Sequence, residues 1–298
     1  NKGGTGATTA NGALTNLLPT QTGNSGKVLQ TDGTNTSWVA AYGGLVNFTE
    51  SVNTTAPNVS KPVVQFLATN AASNVDIAIT PKGFGSLTAQ IADNTTTGGN
   101  KRGNQSVDWQ MTRATASQVA SGSTSFIGGV SNNTASGTSA TVVAGNTNNA
   151  GGSYSFIGGG NGNSTSGTND VISGGSNNST NGSGINNVIG GGVSNSTTGS
   201  FTTIGGGGTN STSGNYATVG GGNTNVASGN NSTVVGGAFN NANASYSAVL
   251  GGSNMSINTP AGGSIGFNSD TTGGAAMGIS TPKVVVFANN NLWLANNT

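Results

Sequence analysis

The chain has 298 residues, of which 53 are glycine and none is cysteine or histidine, and its 8 Lys+Arg against 7 Asp+Glu leave a net charge of +1. With no basic cluster beyond Lys101–Arg102, it lacks the electrostatic footprint for nucleic acid or an anionic bilayer. It also has no Cys or His for a nucleophilic dyad or a transition-metal site, and no disulfide to staple it. No apolar run approaches the roughly 20 residues of a membrane span, so no membrane insertion is expected, and residues 1–30 lack the charged and apolar regions of a signal peptide. The chain starts at Asn1 and reads as a piece of a longer polypeptide.

In chain order, residues 1–46 carry Gly3-Gly4-Thr5-Gly6-Ala7-Thr8-Thr9, then Leu18-Pro19-Thr20-Gln21-Thr22-Gly23 and Trp38-Val39, a punctuation of turns and short strands that reads as a connector. Residues 47–98 form a small β-rich domain with strands expected over Val63–Ala68, Val75–Thr80 and Ser86–Ile91, divided by Asn/Ser and by Pro81-Lys82-Gly83. The connector, and the Ile77-Ala78-Ile79-Thr80-Pro81-Lys82-Gly83-Phe84-Gly85 stretch, resemble segments of bacteriophage tail fibres. Residues 99–122 gather Lys101, Arg102, Asp108, Trp109 and Arg113 just before a repeat array, where a polar cap has to stop further strand addition.

The repeats span 123–268, about ten rungs, in a pattern of two apolar residues, a small residue, Gly, and later Asn. Counted from the second apolar residue (Ile127, Val143, Ile157, Ile172, Ile189, Ile204, Val219, Val235, Leu250), position +2 is always glycine. Position +6 is Asn133, Asn149, Asn163, Asn178, Asn195, Asn210, Asn225 and Asn241 in the first eight units. The spacing drifts from 14 to 17 residues, all of it after the asparagine. A fixed strand and turn with an elastic return path is what stacked coils need, so the fold class is all-β, a parallel β-solenoid with small β-rich N-terminal segments. The glycine is expected to turn the backbone out of the strand, and the asparagine amides to stack from rung to rung in left-handed backbone geometry. Residues 269–298 supply a closing strand, Lys283–Phe287, and an apolar tip whose Phe287, Leu292, Trp293 and Leu294 are candidate receptor contacts.

Positions 0 and −1 of the strand point to opposite faces, and both are usually apolar, as in Phe126/Ile127, Phe156/Ile157 and Val188/Ile189. Position −3 adds Tyr154, Phe201 and Tyr216 to the −1 face. One face fills the coil interior; the other has to meet another subunit, most simply in a homotrimer. The Ser-x-x-Ile-Gly-Gly and Ala-Ser-Gly phrases resemble the left-handed parallel β-roll of trimeric YadA-type adhesin heads, which also occurs in phage fibres. That resemblance implies a homotrimeric, structural tail-fibre protein of the virion. Its implied partners are other tail or baseplate proteins and a host surface polysaccharide or outer-membrane receptor.

Chemistry is sparse in the repeats. Asp170 is the single charged side chain between Ala114 and Ser269, so paired carboxylates for glycosidic hydrolysis and the aspartates of calcium-binding turns are missing, and neither enzyme, cofactor nor metal is expected. Threonines, which on flat solenoid faces suit ice binding, hold no single register at position −2 (Ser125, Thr141, Ser155, Asp170, Asn187). A trimeric bacterial surface adhesin is the second reading and an ice-binding solenoid the third. Receptor contacts are expected on the return paths, such as residues 179–186 and 134–140, or on the C-terminal tip.

Overall fold

The computed structural model describes residues 24–25, 27–31, 36–40, 48–53, 63–68, 79, 81–182, 184–269 and 276–288. Contacts divide the chain into two units, residues 1–79 and 80–298. In the first unit, Lys27–Thr31 pairs antiparallel with Thr36–Ala40, and Phe48–Asn53 with Val63–Ala68, a strand with the bounds the sequence predicts. The expected strand at residues 75–80 falls almost wholly outside the described residues.

The second unit is a solenoid of parallel strands, and no helix occurs among the described residues. A long sheet of 13 strands and a short sheet of 10 run along it, most strands being two residues long. A row of single bridges, from Thr112 and Ser131 through Asn161 and Val193 to Ser253, forms a third side between them. Each coil thus passes from the long sheet through a bridge residue to the short sheet and back.

Register departs from the sequence reading at three rungs. The inward residues of the long sheet are Ile127, Val142, Ile157, Ile172, Ile189, Ile204, Val219, Val234 and Val249, all fully buried. Val143, Val235 and Leu250, expected in that row, are its outward neighbours, 41%, 54% and 46% exposed. The cause is local: Val142-Val143, Val234-Val235 and Val249-Leu250 are apolar doublets preceded by Thr or Ala rather than by a large residue, so either member could be taken as the inward one. With the register set by hydrogen bonding, equivalent residues recur every 15 positions, and the exceptions inside the array are steps of 17 between Asp170 and Asn187 and between Ala248 and Ile265. The two extra residues of the first lie between Thr180 and Asn187, on the return path where variation in length was expected.

The interior is narrow. Large Ile and Val from the long sheet meet Ala135, Ala150, Thr165, Thr180, Thr197, Thr212, Ala227 and Ala242 from the short sheet, all buried. Small residues on one side leave room for branched ones on the other, which is how so thin a coil packs without voids. This second ladder lies within the stretch read as an elastic return path. Ser179–Thr180 and Thr134–Ala135 are strands with Thr180 and Ala135 fully buried, so only the short corner after them varies in length.

The turn out of the long sheet sits at the third position after the inward residue, one residue later than predicted in most coils and at the predicted Gly145, Gly237 and Gly252 in the three coils whose register differs. Gly160, Gly175, Gly222 and Gly237 there have φ near +90°, and a Cβ on Gly160 would lie 2.0 Å from the Gly175 carbonyl oxygen. Both the conformation and the close approach of neighbouring coils therefore select glycine. In the first coil Val130 (φ 64°) holds this position.

The solenoid also extends beyond 123–268 at both ends. Leu87–Thr88 and Val107–Asp108 begin the long sheet, and Val285–Ala288 ends it by pairing in parallel with Ile265–Asn268. The expected closing strand is therefore a further coil.

Candidate functional site: a buried asparagine ladder, an outer face and a corner row

Three arrangements repeat along the solenoid, and the first is structural. Asn133, Asn148, Asn163, Asn178, Asn195, Asn210, Asn225 and Asn240 stack on successive coils and are all buried. In each, Oδ1 accepts the backbone N–H of the next member, as Asn133 does from Asn148 at 3.0 Å, and Nδ2 donates to two carbonyls, Gly159 and Gly175 at 2.9 Å each for Asn163. The ladder runs through the backbone of neighbouring coils rather than from amide to amide as the sequence reading expected, although Asn178 Nδ2 also reaches Asn163 Oδ1 at 3.2 Å. Left-handed geometry falls on the preceding residue, such as Thr147 or Asn177. Asn149 and Asn241, placed in the row by sequence, lie one step outside it on the short sheet. Met255 replaces asparagine at the far end, donating its N–H to Asn240 Oδ1 at 3.0 Å.

Gln110 starts the row at the cap. Its Oε1 accepts Asn133 N–H at 3.0 Å and its Nε2 donates to the Asn133 carbonyl at 2.9 Å. Around it, Asp108, fully buried, accepts from Arg102 Nε at 2.9 Å and Arg113 Nη2 at 3.3 Å. Arg113 also donates to the Thr97 and Gln110 carbonyls and to Gln90 Oε1, and Arg102 to the Gly98 and Asn100 carbonyls. Three of the four charges of this segment, Arg102, Asp108 and Arg113, are thus turned inward and form the core of the first coils, while Lys101 is exposed. A buried charge survives only when paired and hydrogen-bonded, and these are.

The second arrangement is the outer face of the long sheet. Next to the inward row stand Phe126, Thr141, Phe156, Val171, Val188, Thr203, Thr218, Thr233 and Ala248, none of them buried. Val143, Val235 and Leu250 add to it, and Phe287, 44% exposed, lies in its last strand. The outer faces of the short sheet are instead Thr134, Asn149, Ser164, Ser179, Ser196 and Ser211, a polar row. One side of the rod is therefore apolar and another hydrophilic along most of its length.

Third is a corner row three residues before each inward residue: Thr124, Ser139, Tyr154, Asn169, Asn186, Phe201, Tyr216, Asn231 and Tyr246, every one at φ between 54° and 59°. The sequence reading put Tyr154, Phe201 and Tyr216 on the sheet face; they occupy the corner because the chain turns before the strand begins. Each corner is pinned to the coil before it, Tyr216 N–H donating to the Ser200 carbonyl at 2.9 Å and Tyr246 N–H to the Asn230 carbonyl at 2.9 Å. Tyr154, Phe201, Tyr216 and Tyr246 are 61%, 45%, 58% and 70% exposed, and Phe201 stacks on Tyr216 with centroids 5.0 Å apart at 7°. Asparagine takes this backbone conformation readily, but a bulky aromatic there costs about 1–3 kcal/mol. Solvent-exposed aromatics thus stand at strained corners, set out at multiples of the coil pitch. The sequence signal for them was available in the period of 15, once the register is right.

Among the described residues no cluster of His, Cys, Asp or Glu is disposed to hold a metal ion. Asp170, fully buried, accepts the N–H groups of Gly167 at 3.0 Å and Asn187 at 2.9 Å, so its carboxylate serves the stacking of coils. Of the expected return-path contacts, Thr134 and Ser136 line a shallow hydroxyl- and amide-rich groove with Ser117, Asn132 and Asn149 where the short sheet begins. Leu292, Trp293 and Leu294 of the expected tip lie outside the described residues. No family model matches the chain, and no curated protein is significantly similar to it.

Proposed function

We propose that this chain is a non-enzymatic segment of a bacteriophage tail fibre, a homotrimeric rod that presents a receptor-binding surface to a bacterial cell. The observation that carries the reading is the apolar outer face of the long sheet, running beside a hydrophilic short-sheet face. A row of Phe, Val and Leu repeated along a rigid rod is too extensive to leave in water, and three identical rods packed around an axis cover it in each. The resemblance to tail-fibre and left-handed β-roll sequences supplies the biological setting, a virion tail with further tail or baseplate proteins as neighbours. The receptor is a surface polysaccharide or an outer-membrane protein, met by the exposed corners and polar faces. Binding of the labelled protein to a panel of bacterial strains tests the reading: it predicts adsorption to a subset of strains, lost in mutants that lack one surface polymer or protein. Adsorption to none, or release of soluble fragments from a surface polysaccharide, would contradict it.

An ice-binding surface, the third reading from sequence, is favoured by one observation. In the hydrogen-bonded register Thr203, Thr218 and Thr233 occupy one outward row on three successive coils. The row is short, bounded by Val188 and Ala248. Thermal hysteresis of a purified sample distinguishes this reading from the first.

A further inference from the structure

We propose that the corner between Tyr216 and Tyr246, floored by Asn231, is a slot for one pyranose ring of an uncharged polysaccharide; the inference rests on the receptor-binding reading above and names its ligand class. Three corner residues on successive coils define the slot, with φ values of 59°, 56° and 59°, so their side chains leave the backbone in a common direction. One coil earlier, Phe201 and Tyr216 stack almost parallel at 5.0 Å, which is what aromatic rings on adjacent coils do at this corner. Tyr216 and Tyr246 are two coils apart, on the order of 10 Å at about 4.8 Å per coil. Two stacking intervals of that size leave the place of one ring between them, and the residue there is the short amide Asn231. Two exposed tyrosines bound the slot, and between them lies an exposed amide that can both donate and accept.

That combination selects a ring with apolar C–H faces and hydroxyls on its rim, which is a pyranose. From residue 171 to residue 269 the chain carries no charged side chain, so the slot offers nothing to a carboxylate, sulfate or phosphate. Asn230 and Asn215, next to the slot, are already linked, Asn215 N–H donating to Asn230 Oδ1 at 3.0 Å, which fixes the corner backbone. Binding therefore meets a wall set by the coil pitch, with little ordering of the main chain.

The test uses the full chain and a set of neutral methyl pyranosides (gluco, galacto and manno), observed by saturation-transfer NMR, together with cell adsorption. At least one pyranoside should receive saturation at its ring C–H protons. Asn231→Phe, which fills the slot with a third stacked ring and lowers the melting temperature only by the strain of one aromatic at this left-handed corner, and Tyr246→Ala, which removes a wall, should each cut that transfer at least tenfold, with the number of chains per particle unchanged. Asn169→Phe, at the same corner outside the slot, should retain it. No transfer from any pyranoside, transfer unaffected by Asn231→Phe, or a change in chain number in Tyr246→Ala, which would make the corner a subunit contact, would overturn the proposal. Cells that adsorb the protein while no pyranoside does would sink the slot and leave the fibre reading standing; sugar binding without adsorption would do the reverse.

Discussion

At the scale of single residues, the hydrogen-bonded register gives neighbouring positions opposite fates. Asn148 donates to the Ala144 and Gly160 carbonyls and accepts the N–H of Asn163, whereas Asn149 faces outward. Asn148→Ala strands the buried Asn163 N–H and the Ala144 carbonyl, the Gly160 carbonyl keeping the Asn146 N–H, and should cost about 3 kcal/mol, while Asn149→Ala should stay within about 0.5 kcal/mol, as thermal or denaturant unfolding would show. Equal effects would return the ladder to the spacing read from sequence. Inside the coil, the hydroxyls of Thr180, Thr197 and Thr212 are buried and find no partner among the described residues. Thr197→Val keeps the shape and removes the unpaired group, so it should be neutral or stabilising by about 1 kcal/mol. A loss of stability would mean that the hydroxyl is used.

For the elements, the long sheet was legible in the sequence and the short sheet was not. Phe126-Ile127, Phe156-Ile157 and Val171-Ile172 are β-branched and aromatic pairs that announce strands, while Ser164-Thr165, Ser179-Thr180 and Asn149-Ala150 pair just as regularly with none of that signal. Their strand character comes from stacking on identical neighbours, which no local propensity reports. The corner aromatics were misread for a related reason, since a left-handed turn leaves no mark when the residue there is Tyr or Phe instead of Gly or Asn. The short-sheet ladder changes an expectation: Thr165, in a stretch that sequence alone treats as free to vary, is buried with its hydroxyl bonded to Ser155 at 2.9 Å. Thr165→Asp should therefore lower the melting temperature sharply, and a two-residue Gly-Ser insertion between Gly137 and Ser139 should not, because the coil at Thr180–Asn187 already carries two extra residues. Similar melts for the two variants would contradict the division between ladder and corner.

The cap belongs to the same scale. Asp108→Asn would leave Arg102 and Arg113 buried without their shared counter-charge, a loss of about 3–5 kcal/mol that should appear first as early exchange of amide protons in residues 84–135. At the outer edge of that segment Asp93 accepts hydrogen bonds from the Thr95 hydroxyl and N–H and from Gly98 N–H, and these, the hydroxyl foremost, hold its carboxyl below the usual aspartate value. A depressed carboxylate stabilises the folded loop above its unfolded pKa, and that contribution is lost as pH falls through the folded one.

Taken as a whole molecule, the solenoid spends its asparagines, its buried carboxylate and its cap charges on stacking, and leaves an apolar side, a hydrophilic side and a row of exposed corners. An isolated chain would present Phe156, Val143, Val188, Val235 and Leu250 to solvent, each 37–54% exposed, along one face in a row broken by Thr203, Thr218 and Thr233. The fibre reading stands or falls with what covers that row. Sedimentation equilibrium of the folded protein at micromolar concentration is the most direct test: the account predicts a particle of three chains that does not dissociate on dilution short of unfolding, and a stable, well-folded monomer would contradict it.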